Sequence, residues 1–291
     1  MNPWLLAARP RTLLAGLAPV ILGSALAAHL HHFQPIPALL CATFVICAQT
    51  GANFANDYFD HRHGADAPGR LGPVRVVASG LVSPTAMLAA TFAILTLAAA
   101  VGCGLIYYGG WPTIAIGVAS LLGALAYTGG PFPLAYHGLG EVTVVIYFGL
   151  VATLGTFYVQ AGWPAPSLAW LAAVACGLLA ANILLINNIR DRPADAAAAK
   201  RTLAVRFGRQ FSSRLFGFNL VFAFLTSIIF YAIDQHIAYL LPLILVPLGL
   251  LLTRVLGAIA DGDGPRFNKL LGFTAQFLAL WSALFAVGLL F

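Results

Sequence analysis

The chain has 291 residues, 60% of them hydrophobic and only 8% charged, with a formal net charge of +6 and a mean hydropathy of +0.90. A soluble domain carries roughly a quarter charged residues, so this composition excludes a soluble globular protein and points to a chain that folds in a lipid bilayer. The surplus of bases is confined to a few loops, which argues for membrane topology and against a nucleic-acid partner.

Apolar runs of helix-spanning length predict an all-α bundle of about nine transmembrane helices, near 12–30, 36–56, 84–106, 111–128, 142–161, 167–189, 213–233, 237–256 and 268–290. The first run, behind Arg9 and Arg11, has the look of a signal peptide. It lacks a small-residue cleavage site and further spans follow at once, so it reads as the first span. Cys41, Cys47, Cys103 and Cys176 all lie in apolar stretches, with no CxxC pair and no histidine at zinc-ligand spacing, and read as packing residues. Residues 1–291 are expected to form one polytopic domain.

The loops after spans one, three, five and seven contain no Lys or Arg. All fifteen bases fall at the N-terminus (Arg9, Arg11), after span two (Arg62, Arg70, Arg75), between spans six and seven (Arg190, Arg192, Lys200, Arg201, Arg206, Arg209, Arg214) and around the loop between spans eight and nine (Arg254, Arg266, Lys269). The positive-inside rule places those loops in the cytoplasm, with the N-terminus inside, Phe291 outside and the chain in the cytoplasmic (inner) membrane.

Two acidic clusters close spans two and six. Asn53, Asn56, Asp57 and Asp60 are spaced to share one helix face, with Asp66 following in a glycine-containing loop. Asn187, Asn188 and Asp191 repeat the device, with Asp195 four residues on. Each half of the bundle thus supplies one copy at a helix end on the same side of the membrane. Acids near a bilayer repel one another unless cations hold them, and hard oxygen donors on facing groups suit Mg²⁺ together with substrate phosphates. Ringed by Arg and Lys, such a pair makes a site for diphosphate departure, whereas solvated loop charges are the plain alternative. Pro193, between Asp191 and Asp195, removes a backbone N–H and is expected to break the helix there. His31, His32, His61 and His63 read as solvated loop residues.

These residues resemble the UbiA superfamily of intramembrane prenyltransferases, on Asn56-Asp57-x-x-Asp60 and the second Asp191-x-x-x-Asp195 at matching helix ends. Within it, the chain is most similar to the subfamily that prenylates 1,4-dihydroxy-2-naphthoate in menaquinone synthesis. That likeness rests on Ala8-Arg9-Pro10-Arg11-Thr12, the five-residue gap from Asp60 to Asp66, Gly72-Pro73-Val74-Arg75, Tyr127-Thr128-Gly129-Gly130-Pro131, Gly138-Leu139-Gly140-Glu141 and Lys200-Arg201-Thr202-Leu203. Relatives acting on 4-hydroxybenzoate have a three-residue gap and a lysine in the central loop, and this chain has neither. Glu141 stands where the subfamily more often has Asp.

The resemblance implies a cytoplasm-facing cavity in which a polyprenyl group moves from polyprenyl diphosphate to an aromatic acid. Prenylation of dihydroxynaphthoate with loss of carbon dioxide gives demethylmenaquinone. It implies Mg²⁺ on Asp57, Asp60, Asp191 and Asp195, with Tyr127 beside the reacting cation or acceptor. Lys200, Arg201 and Arg190 are candidate diphosphate partners, and Arg75 a partner of either diphosphate or acceptor carboxylate. Asn53, Asn56, Asp66 and Asn187 complete the candidate substrate site. Arg9 and Arg11 compete between this site and topology, while Arg206, Arg209 and Arg214 read as topology alone. Another aromatic acceptor such as 4-hydroxybenzoate is the alternative substrate. A cation-coupled transporter is the alternative class, although transporter sites lie near the midplane rather than at helix ends.

Overall fold

The computed structural model describes residues 2–66 and 71–291, apart from the side chains of Arg11 and Leu14. Arg70 and the Arg11 side chain, counted above among the topology-setting bases, lie outside the described residues. Within them the chain is helical and has no strand. The elements are α1 (Pro3–Ala8), α2 (Pro10–His29), α3 (Pro35–Arg62), α4 (Pro84–Gly109) and α5 (Pro112–Ala126). Then come α6 (Gly140–Val144), a π-helical segment (Val145–Leu154) and α7 (Gly155–Ala161), which form one rod. Helices α8 (Ser167–Ala197), α9 (Leu203–Asp234), α10 (Val246–Ala258) behind a 3₁₀ turn (Ile237–Leu245), and α11 (Gly264–Leu290) follow.

Helix starts are written locally. Pro10, Pro35, Pro84 and Pro112 are each the first residue of a helix, where the missing N–H costs nothing and the fixed φ is already helical. Ser83, Thr202 and Asp263 cap α4, α9 and α11 by accepting a hydrogen bond from Ala86, Val205 and Arg266 N–H respectively.

Seven of these rods are long and apolar enough to cross a bilayer, and the shorter apolar α2 and α5 stand where the first and fourth spans were expected. All nine expected spans therefore have a counterpart. Three details differ from the sequence reading. First, α3 continues to Arg62, so His61 is helical and exposed rather than in a loop. Second, α8 runs through Pro193 to Ala197 without a break, because proline's own φ is helical and only one carbonyl loses its partner. Asp195 therefore sits on continuous helix. Third, α9 bends at Gly208 (φ 81°, ψ 172°), which separates an initial turn carrying Arg206 from the spanning part.

Helix α8 is central, with 72% of its most apolar stretch buried. Leu179, Leu185 and Ile186 of α8 pack with Phe216 and Phe230 of α9 and with Phe277, Trp281 and Phe285 of α11. On its other side α8 crosses the π segment at Gly149 and Gly177. A Cβ on Gly149 would lie 2.6 Å from the Ala173 carbonyl oxygen, and one on Gly177 2.9 Å from the Gly149 Cα. Small residues let two membrane helices approach at backbone distance. The acid-bearing ends of α3 and α8 are thereby fixed at one end of the bundle, under the segment 71–83 and the loop between α5 and α6.

Candidate active site

A cavity of about 280 Å³ lies between α2, α3, α4, α5, the π segment and α8. Its polar end is lined by Arg9, Thr12, Asn53, Asn56, Tyr127 and Asn187, and its body by apolar groups such as Cys41, Phe44, Val45, Leu105, Ile116, Val151 and Val159. Asn53, Asn56 and Asn187 of the expected substrate site, together with Tyr127, thus line this cavity. Two of them are held by specific bonds. Asn53 Nδ2 donates to the Ala8 carbonyl at 2.9 Å, and Asn56 Oδ1 accepts from the Thr128 hydroxyl at 2.7 Å. Asn188, expected on the same face as Asn187, instead turns to α6 and donates to Glu141 Oε1 at 2.8 Å. Consecutive helical residues point about 100° apart, so only one of the two can face the cavity.

The aspartates do not line the cavity; they form two groups beyond its polar end. In the first, Asp57 Oδ2 accepts from Val76 N–H at 3.1 Å, and Asp60 accepts from Arg75 Nη2 and from the Tyr136 hydroxyl, both at 2.9 Å. Arg75 also pairs with Asp66 at 3.3 Å. It belongs with the acids, not with the cavity wall. In the second, Arg190 forks onto both carboxylate oxygens of Asp191 at 2.8 and 2.7 Å, and its third nitrogen donates to Asn268 at 2.6 Å. Lys200 Nζ lies 3.7 Å from Asp195. Arg190 is therefore buried in protein contacts, and Arg201 is exposed, its backbone N–H donating to the Tyr136 carbonyl at 2.9 Å. The exposed Asp261 takes Arg192 and Arg209, which bind the end of α8 and the start of α9 to the loop before α11.

Tyr136 joins the two groups, and sequence reasoning missed it. It donates to Asp60, and the Lys200 ammonium sits 5.3 Å from its ring centroid. The loop that carries it, between α5 and α6, has glycines at positive φ on both sides, Gly130 (81°) and Gly138 (75°). That glycine bracketing was the one signal in the sequence. Burial pushes the phenol of Tyr136 well above the usual value, and next in weight the Asp60 carboxylate acts in the same direction. It stays an O–H donor.

Among the described residues no three His, Cys, Asp or Glu side chains gather closely enough to hold a metal by themselves. Mg²⁺, however, takes only one or two protein carboxylates and fills its octahedron with phosphate oxygens and water. The pairs Asp57/Asp60 and Asp191/Asp195, on the last turns of α3 and α8, fit that demand by chemistry.

A family model for the UbiA prenyltransferase family matches residues 16–277. The chain belongs to the UbiA prenyltransferase family. It is 38% identical to the 1,4-dihydroxy-2-naphthoate octaprenyltransferase of Mycobacterium tuberculosis, across 99% of this chain and 97% of that protein. The fold is similar to the apo structure of a UbiA homolog from Aeropyrum pernix K1, with a TM-score of 0.70 and 18% identity over 96% of this chain and 98% of that one. It is also similar to a UbiA homolog from Archaeoglobus fulgidus bound to DMAPP and Mg²⁺, with a TM-score of 0.65 and 16% identity over 98% and 100% of the two chains. As a family member with seven long apolar helices, the chain is a multi-pass membrane prenyltransferase.

Proposed function

We propose that this chain, as one polytopic domain, transfers a polyprenyl group from its diphosphate to 1,4-dihydroxy-2-naphthoate. Carbon dioxide and diphosphate leave, and the product is the reduced form of demethylmenaquinone. The observation that carries this reading is the arrangement of the site: a mostly apolar cavity whose polar end abuts two acidic groups joined by Tyr136 and Lys200. Similarity to the mycobacterial naphthoate enzyme supports the acceptor.

Asp57 and Asp60 on one side and Asp191 and Asp195 on the other would hold Mg²⁺, which when bound would screen the charge of the departing diphosphate. Support for the metal comes from the donor chemistry and from the Archaeoglobus homolog with Mg²⁺. Lys200 and Arg201 stand beside the second group to meet phosphate oxygens. The apolar body of the cavity takes the isoprenoid tail and keeps water from the allylic cation, which would otherwise be quenched to an alcohol. Tyr127, as a phenol at the polar end, faces the acceptor ring. The segregation of bases supports an acid-bearing end in the cytoplasm and Phe291 outside, in the inner membrane.

Purified protein in lipid, given a polyprenyl diphosphate and either dihydroxynaphthoate or 4-hydroxybenzoate, with Mg²⁺ or with a chelator, tests the reading by mass spectrometry of the lipid product. Prenylated naphthoquinone that forms only with metal is expected. Prenylated hydroxybenzoate alone overturns the acceptor, and undiminished turnover in chelator overturns the metal.

A further inference from the structure

Helices α9, α10 and α11 meet at the acid-bearing end of the bundle, where Arg209 sets their levels. Its guanidinium donates to the Leu256 carbonyl of α10 at 2.9 Å and lies 5.8 Å from the ring centroid of Phe267 in α11. Three more bases stand just inside the apolar stretches of these helices. Arg214 follows Arg209 by five residues, Arg254 precedes Leu256 by two, and Lys269 follows Phe267 by two. At 1.5 Å per residue each is within about 8 Å of that junction along its helix, on the membrane side. All three are exposed, and among the described residues none makes a hydrogen bond or an ion pair. Arg75, Arg190, Arg192, Arg209 and Arg266 are by contrast paired with acids of the chain.

The surroundings of the three bases are apolar. Phe211 and Phe218 flank Arg214 on its own helix face, Leu250 and Leu251 lie one turn before Arg254, and Phe273 lies one turn after Lys269, all exposed. The bases therefore stand on a lipid-facing surface at the depth where hydrocarbon gives way to headgroups. Orientation in the membrane needs bases only beyond the apolar stretches, where Arg192, Arg201 and Arg206 already stand. A charge against hydrocarbon is costly unless its long side chain reaches an anion at the interface. The anion a bilayer offers there is a lipid phosphate, which a guanidinium binds by charge-assisted hydrogen bonds. In a zwitterionic headgroup the lipid's own cation offsets that gain, whereas an anionic headgroup keeps it. We infer that α9, α10 and α11 form a docking surface for an anionic phospholipid, with its headgroup phosphate among Arg214, Arg254 and Lys269. Its acyl chains lie along the apolar flanks. None of the residues that line the cavity belongs to these three helices, so the surface is separate from the candidate active site.

The test needs no turnover. The full chain in detergent is given equal amounts of phosphatidylglycerol and phosphatidylcholine with matched acyl chains, and native mass spectrometry counts the lipids retained. The unaltered protein should retain phosphatidylglycerol in preference. Arg214→Gln, Arg254→Gln and Lys269→Gln should each lower that preference about fivefold. Arg206→Gln removes another exposed base of the same end, one whose guanidinium packs against Gly138 away from the three, and should leave the preference unchanged. Equal retention of the two lipids by the unaltered protein overturns the inference, and this arm stands even where a variant fails to fold. An equal fall with Arg206→Gln also overturns it, because net charge and not this surface would then be responsible. Loss of the preference on adding excess inorganic phosphate assigns the bases to a soluble anion and overturns it as well.

Discussion

The ends of α3 and α8 carry the same chemistry and are built in different ways. At the end of α3, the acids bind groups from elsewhere in the chain: Val76 N–H on Asp57, Arg75 and Tyr136 on Asp60, Arg75 on Asp66. At the end of α8 two bases lie close in sequence to the acids they meet: Arg190 adjoins Asp191, and Lys200 follows Asp195 by five residues and also donates its backbone N–H to the Asp195 carbonyl. The first group includes bonds made by closure of segment 71–83 over the helix end. The second includes ion pairs between near neighbours in sequence. Two sequence motifs of equal appearance therefore differ in what a substitution disturbs.

The largest expected effect is at Asp60. Asp60→Asn weakens two bonds to a carboxylate, the charge-assisted one with Arg75, worth about 1.5–3 kcal/mol, and the one with Tyr136, worth about 1 kcal/mol on a carboxylate already paired with Arg75. Activity should be lost and segment 71–83 should become sensitive to protease. Retention of both turnover and protease resistance would break the view that this group is held by closure.

Asp191→Asn should cost about 3 kcal/mol of stability, because the Arg190 side chain is 1% exposed and would keep a buried charge without its carboxylate. Here the damage should be local, with segment 71–83 as resistant to protease as before. Pairing Asp191→Asn with Arg190→Met should recover most of the thermal stability in detergent and none of the activity. A double variant no more stable than Asp191→Asn would show that the pair is not a self-contained unit. A third, smaller effect is expected at Asp261. Its side chain is 57% exposed, so Asp261→Asn should change stability by no more than about 1 kcal/mol despite two arginine partners. A larger drop in melting temperature would mean that the exposed bridges brace the site as the buried ones do.

Most of the fold was legible because apolar runs must be long enough to cross lipid, and their edges are sharp wherever water begins. The readings slipped where that contrast fails. Helices α3 and α8 continue past their apolar stretches because the polar residues there are buried in the site, not solvated. Asn53, Asn56, Tyr127 and Asn187 were found by helical spacing and by family likeness, and all four line the cavity. Arg75 was assigned to substrate from its motif, but no spacing rule reveals that a loop folds back onto Asp60 and Asp66. Arg9 was left between the site and membrane topology, and the structure places it on the cavity lining.

A similarly small effect tests whether the two ends are coupled. Tyr136→Phe keeps the ring under the Lys200 ammonium and keeps the carbonyl that accepts from Arg201 N–H. It removes only the hydroxyl that donates to Asp60. The loss should be about 1 kcal/mol of stability, read as thermal unfolding in detergent, since one hydrogen bond to a carboxylate that retains Arg75 is at stake. A double-mutant cycle on the same unfolding measurement, which needs no activity from the Asp60→Asn background, gives this small number its meaning. If Tyr136 acts on the α3 end alone, Tyr136→Phe should have no further effect in an Asp60→Asn background and its full effect beside Asp195→Asn. If the hydroxyl also sets the ring that Lys200 rests on, the effect should shrink in both backgrounds, because the α8 end has already lost the acid that positions Lys200. A full effect beside Asp60→Asn would contradict both and would mean that the hydroxyl acts on something other than Asp60. The cycle thus reads directly whether the locally built group and the closure-built group respond to one tyrosine or to none.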